Sequence, residues 1–246
     1  MVNNIRWWIL GLTGVVAGGV YLTAAGNVVK LTQTYAFLTV TYLWVALMAT
    51  PVTRFFPQLP GKGKYIFARR AIGVSAWCFG LLHAYFAFFG ELGGFGLMRF
   101  WNGRTWTAIA ASTTALMILT AMAATSTDWA IQSLGFARWK RLHRLVYLVG
   151  ILVVFHALTL GSHFAKLSGT IPVIFLGAAG VLGVMEAARL GKYLADNIPG
   201  WPKGLTTMGM WLVMTGVAVT NWGLWGGGTY AAGLAWLAIH AYKKTA

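Results

Sequence analysis

The sequence predicts an all-α integral membrane protein, a helical bundle of about eight transmembrane helices. Three observations predict it. Only 9% of the 246 residues are charged and 58% are hydrophobic, whereas a soluble domain carries about 25% charged residues. The mean hydropathy is +0.68. The 19 Lys and Arg residues collect in short segments between long apolar stretches.

A spanning helix needs about 20 mostly apolar residues. Eight stretches meet that need, at roughly 6–25, 35–52, 71–90, 107–125, 142–161, 170–190, 205–222 and 225–242. The first follows Arg6 and carries Gly14 and Gly18, a GxxxG spacing that suits close helix packing. Its Ala24-Ala25-Gly26 end imitates a signal-peptide cleavage site, and we read it as a retained helix. The second ends at Thr50-Pro51. The third begins after Arg69 and Arg70 and contains His83. The fourth starts beside Trp106, and the fifth opens at Leu142-His143-Arg144 and contains His156. The sixth carries Gly177, Gly180 and Gly183. The last two are separated only by Gly226-Gly227-Gly228, read as a turn, with a single kinked or re-entrant element as the alternative. Tryptophans gather near span ends, among them Trp7, Trp8, Trp101, Trp129, Trp139, Trp201, Trp222 and Trp225, the pattern of an interfacial belt.

Short loops rich in Lys and Arg stay in the cytoplasm. Assigning the loops alternately places 15 basic residues on one side: Arg6, Arg54, Lys62, Lys64, Arg69, Arg70, Arg138, Lys140, Arg141, Arg144, Arg189, Lys192, Lys203, Lys243 and Lys244. The other side receives Lys30, Arg99, Arg104 and Lys166. The 15:4 division predicts both termini in the cytoplasm, with the two longest loops, 53–70 and 126–141, on that side. A net charge of +15 raises the question of a nucleic-acid partner, but such a protein needs a polar surface for its basic face. We expect none; the charge faces anionic lipid head groups.

One cysteine, Cys78, excludes an internal disulfide, a four-cysteine cluster and a CxxCH haem attachment. No glycine-rich phosphate loop follows a strand. The absence of acids from the middle of the spans, with only Glu186 well inside one, argues against a transporter, as does the lack of an internal repeat.

The histidines carry the chemistry. Ionisable residues within a span are costly and mark function. From Arg70 to His83 is 13 residues, and so is the step from His143 to His156, each about 20 Å along a helix. His83 and His156 therefore share a depth in the outer half of the membrane. Two neutral imidazoles facing each other across a bundle hold one haem b iron axially. His143 lies about 20 Å further in, placed for a second haem. It has no histidine partner on the third span, where Arg69 and Arg70 stand at the matching positions, so an inner haem has one histidine, an unusual second ligand, or is absent. Thirteen residues is about 3.6 turns, so His143 and His156 face one way only if the helix is distorted. His163 and His240, near span ends, read as packing residues. Arg69, Arg70, Arg138, Arg141 and Arg144 lie at the cytoplasmic ends of the histidine-bearing spans. They are candidates to hold haem propionates, although positive-inside topology with lipid contact is the favoured explanation.

Several segments resemble a known family. They are Arg69-Arg70-Ala71-Ile72-Gly73, Trp77-Cys78-Phe79, Leu82-His83, Gly90-Glu91-Leu92-Gly93, Thr125-Ser126-Thr127, Leu134-Gly135, Arg138-Trp139 and Leu142-His143-Arg144-Leu145-Val146-Tyr147-Leu148 ending at His156, with Thr50-Pro51 upstream. Together they resemble the MsrQ (YedZ) family of haem-binding membrane subunits of bacterial methionine sulfoxide reductase systems, within the ferric reductase-like transmembrane superfamily. The likeness covers roughly 35–165. It implies a six-helix haem b bundle over 1–204, with His83, His143 and His156 as haem ligands, in the bacterial inner membrane. Residues 205–246 are then an extra C-terminal helical hairpin.

The resemblance implies a transmembrane electron carrier with one haem b and room for a second. A flavin or a quinone is compatible but unassigned. The final span ends near 242, which leaves no room for a soluble flavin and nicotinamide domain. Electrons then come from membrane quinol or a cytoplasmic flavin reductase and leave to an extracytoplasmic oxidoreductase. The competing readings are an accessory subunit of a larger membrane complex and a direct reductase of ferric iron or another small acceptor.

Overall fold

A computed structural model describes residues 4–165, 169–202 and 204–245. Lys166 and Lys203, both used in the loop assignment, lie outside the described residues. The helices are α1 (Asn4–Ala24), α2 (Val28–Phe55), α3 (Lys62–Tyr85, continuing as a π-helix over Phe86–Glu91), α4 (Gly94–Leu97), α5 (Gly103–Ala124), α6 (Asp128–Leu134), α7 (Phe136–Arg144), α8 (Val146–Leu160), α9 (Thr170–Asn197) and α10 (Leu205–Thr245). The described residues contain no strand. Six of the segments are long and apolar enough to cross a membrane: Asn4–Ala24, Val28–Phe55, Lys62–Glu91, Gly103–Ala124, Phe136–Leu160 and Thr170–Asn197. They coincide with the first six expected spans, and the protein is an integral membrane helical bundle.

Local sequence sets the helix ends. The Asn27 and Asn102 side chains accept the backbone N–H of Lys30 and Thr105, and Thr127 accepts that of Ala130. Each satisfies a donor that the first turn leaves without a partner. Within the helices, hydroxyls turn back onto carbonyls one turn earlier, as Thr13 does to Ile9, Thr39 to Tyr35 and Thr120 to Leu116. Lipid supplies no other partner for such groups.

The chain divides into two compact units. The first comprises Met1–Ala46 and Gly63–Ser162. Its centre is a cluster of Ala24, Leu31, Tyr35 and Phe79, with the Tyr35 hydroxyl donating to the Ala17 carbonyl at 2.9 Å. The buried hydroxyls of Thr13 on α1 and Ser75 on α3 meet at 2.6 Å. Trp77 on α3 donates to Thr120 on α5 at 2.9 Å, and Arg104 on α5 donates through Nε to the Thr159 carbonyl of α8 at 2.9 Å. With small residues at Ala68, Ala71, Ser75, Ala76 and Gly80 buried along α3, helices approach closely and dispersion replaces a hydrophobic drive that lipid does not provide.

One carboxylate joins three helices of this unit. Asp128, at the start of α6, accepts Arg70 of α3 at 2.6 Å and Arg6 of α1 at 3.5 Å. The Arg70 guanidinium beside it, helped by Arg6, holds its carboxyl below the usual carboxylate range. A depressed carboxyl contributes stability above its unfolded value of about 3.9 and loses it as pH falls through the lower folded value. The thermal midpoint in detergent should therefore fall more steeply for the wild type than for Asp128→Asn between about pH 5 and pH 3. Equal acid slopes would remove this ion pair from the stability of the unit.

The second unit comprises Leu47–Lys62 and His163–Ala246. Here the expected turn at Gly226-Gly227-Gly228 is corrected: those residues are helical, and the break falls at Gly223, with φ 73° and ψ 176°. That backbone conformation is open to glycine and strained for other residues. The two limbs of α10 then fold back on each other, with Trp211 Nε1 donating to the Ala231 carbonyl at 2.9 Å. Gly227 serves the approach: a Cβ there would stand 2.5 Å from the Cα of Val219. The hairpin packs on α9, where Thr206 donates to Ala187 and a Cβ at Gly180 would meet the Tyr230 hydroxyl at 1.7 Å. His240 lies in this unit, stacked between Phe56 and Trp236, a packing role as its sequence position suggested.

Candidate functional site

His83 and His156 come together inside the first unit. Their ring centres are 6.1 Å apart and the rings are nearly perpendicular, at 78°. His83 ends α3 and its Nδ1 lies 3.0 Å from the Thr32 carbonyl of α2. His156 sits on α8 and its Nδ1 lies 3.1 Å from the Ala108 carbonyl of α5. A carbonyl oxygen only accepts, so each Nδ1 carries the proton and donates. That fixes both tautomers and leaves Nε2 with its lone pair free of a proton. Four helices thus orient the pair, two carrying the rings and two holding them.

The spacing fits one metal ion between two imidazoles. Two metal–nitrogen bonds of about 2 Å, with about 1 Å from each nitrogen to its ring centre, give ring centres about 6 Å apart. Among the described residues no group of three or more His, Cys, Asp or Glu converges. Two imidazoles at this separation would suit a cofactor that brings its remaining ligands with it, as haem does. Directly after His83 the helix widens into the π-helix Phe86–Glu91, a local change that often accompanies functional sites.

His143 is apart from this pair. It lies on α7, and the expected single helix is interrupted at Leu145, whose N–H bonds to Leu142 as in a tighter turn. The 13 residues from His143 to His156 therefore do not run along one continuous helix. His143 Nδ1 donates to the Trp139 carbonyl at 3.1 Å, its Nε2 lies 3.4 Å from Ser126 Oγ, and its ring stacks on Trp139 at 4.1 Å.

Of the five candidate arginines, Arg70 is bound to Asp128, and Arg69 precedes it on α3. Arg138, Arg141 and Arg144 are exposed on α7. Sequence reasoning missed Thr32 and Ala108 because they contribute only carbonyls, which every residue has. It also missed Trp139 and Asp128. Trp139 stands four residues before His143, on the same helical face, and Asp128 is the one acid between the fourth and fifth spans; both spacings were signals.

Comparison with known proteins follows this geometry. The model of the ferric reductase like transmembrane component family matches residues 34–154. A protein-methionine-sulfoxide reductase heme-binding subunit MsrQ from Azospira oryzae is 31% identical over 185 residues, covering 72% of each chain. The protein of the same name from Bordetella pertussis is 31% identical over 153 residues, covering 61% of this chain and 68% of the relative. That from Ralstonia nicotianae is 29% identical over 207 residues, covering 80% and 92%. No solved structure matches the chain.

Proposed function

The chain belongs to the MsrQ family, and from that premise we propose that it moves electrons across a membrane through haem b held between His83 and His156. The observation that carries this reading is the 6.1 Å ring separation with both Nδ1 atoms donating to carbonyls. Haem b, when held there, supplies a one-electron couple. The chain does the rest. The Thr32 and Ala108 carbonyls keep each imidazole in one tautomer and make Nε2 a stronger donor to iron. The lipid-embedded helices keep bulk water from the site, and a low dielectric favours the redox state with the smaller net charge.

The remaining assignments extend this reading. The reading leaves room for a second haem, which His143 would hold, with Arg69, Arg70, Arg138, Arg141 and Arg144 as candidates for its propionates. The basic loops support a bacterial inner membrane location with both termini on the cytoplasmic side. Electrons arrive from membrane quinol or a cytoplasmic flavin reductase. Because the relatives are named as subunits of protein-methionine-sulfoxide reductases, the acceptor is an oxidoreductase on the outer face.

An absorption spectrum of the purified protein tests the reading. Dithionite reduction should produce the narrow bands of low-spin, six-coordinate b-type haem. A preparation made with ample haem supply that contains none would refute it.

A further inference from the structure

Arg104 stands where local rules disfavour a cation. It is the second residue of α5, whose first turn is capped by the Asn102 side chain. The amide end of a helix carries partial positive charge and repels a guanidinium. The loop assignment also puts Arg104 on the side that receives only four of the 19 basic residues. No acid within α5 offsets either cost.

The compensation comes from α8. The last four carbonyls of a helix lack partners within it and carry partial negative charge. Arg104 donates through Nε and Nη2 to one of them, that of Thr159, at 2.9 and 2.5 Å. Thr159 is three residues beyond His156 and Ala108 is four beyond Arg104, so each pair shares a helix face. Two successive rungs therefore join α5 to α8: Arg104 on the Thr159 carbonyl, and His156 Nδ1 on the Ala108 carbonyl at 3.1 Å. The α2 carbonyl that holds His83 is braced alike. Gln33, next to Thr32, donates to Ser162 Oγ just beyond α8 at 3.1 Å. A slip of α8 by one residue would move His156 about 1.5 Å along the axis and about 100° around it, which takes Nδ1 off its carbonyl.

We infer that Arg104 is a positioning residue for His156 and a fixed charge that raises the reduction potential of a haem held by that histidine. This rests on the electron-transfer reading above. The outer rung keeps α8 in the register at which His156 meets Ala108. The same guanidinium offsets the carbonyl end of α8, about one turn from the imidazole. Ferric haem b carries one more positive charge than ferrous haem b, so loss of a cation from this end favours the ferric form.

The test uses the haem-loaded, full-length protein in phosphatidylcholine nanodiscs at low salt, where the exposed guanidinium is least screened. Redox titration reads the midpoint, and electron paramagnetic resonance of the ferric state reads ring orientation. Arg104→Gln should lower the ferrous-to-ferric ratio at a fixed ambient potential about three-fold, a midpoint about 28 mV more negative. It should also shift the low-spin resonance. Arg104→Lys, which keeps the charge and a donor, should restore both. Arg99→Gln removes a cation assigned to the same side, one that lies over the Phe100 ring, and should leave both at wild-type values. A wild-type midpoint in Arg104→Gln overturns the charge role, and an unmoved resonance overturns the positioning role. Equal shifts in Arg99→Gln overturn both, since any charge on that side would then serve. If Arg104→Gln loses its haem, retention in Arg104→Lys supports the inference, and loss from both variants overturns it by leaving Arg104 a part of the fold alone. A wild-type protein without haem would instead refute the electron-transfer reading.

Discussion

His83→Ala and His156→Ala should each abolish the low-spin haem signal, whereas His143→Ala should leave at least the signal of the His83–His156 level intact. The geometry gives the reason. The two rings are 6.1 Å apart and held from α2 and α5, so removing either leaves one imidazole against a methyl group too short to reach the metal. The loss should be nearly complete in reduced-minus-oxidised spectra and in the haem-to-protein ratio. Each substitution also removes one hydrogen bond to a helix carbonyl, at Thr32 or at Ala108, a net loss of about 0.5–1.5 kcal/mol. Helical circular dichroism and the elution volume in detergent therefore have to accompany the spectra. His83→Gln and His156→Gln, which keep polarity and bulk, should lose the signal while retaining the fold. Full haem retention in all three alanine variants would withdraw the ligand assignment.

Gly227→Ala should destabilise the second unit by about 3 kcal/mol or more. The added Cβ would lie 2.5 Å from the Val219 Cα and 2.6 Å from its backbone nitrogen, and backbone cannot rotate out of the way as a side chain can. The limbs of α10 would have to separate, breaking the bond from Trp211 to the Ala231 carbonyl. Gly228→Ala is the control, because nothing lies within 4 Å of a Cβ there. Thermal unfolding in detergent, followed by tryptophan fluorescence, should show a lowered midpoint for the first variant and a near-native one for the second. Equal midpoints would mean that the hairpin does not close on Gly227.

The same contrast runs through the whole molecule. Apolar length and the basic segments between the stretches were enough to locate six membrane-crossing segments, because burial in lipid is a property of composition that each segment shows by itself. The pairing of His83 with His156 was legible for a related reason. Each lies 13 residues beyond a basic or histidine position in its own segment, and the two rings do meet, 6.1 Å apart. The turn in α10 was misplaced because three adjacent glycines look like a turn, whereas the chain uses Gly223 for its positive φ and Gly227 for contact.

The sequence by itself determined that this is a membrane bundle, which residue types enter it and which histidines fall within its apolar segments. Only the tertiary structure decided which way those histidines face. The Thr32 and Ala108 carbonyls that orient them, and the interruption at Leu145 that separates α7 from α8, leave no mark in residue identity. Backbone groups are the same in every residue, and it takes a neighbouring helix to give one of them a role.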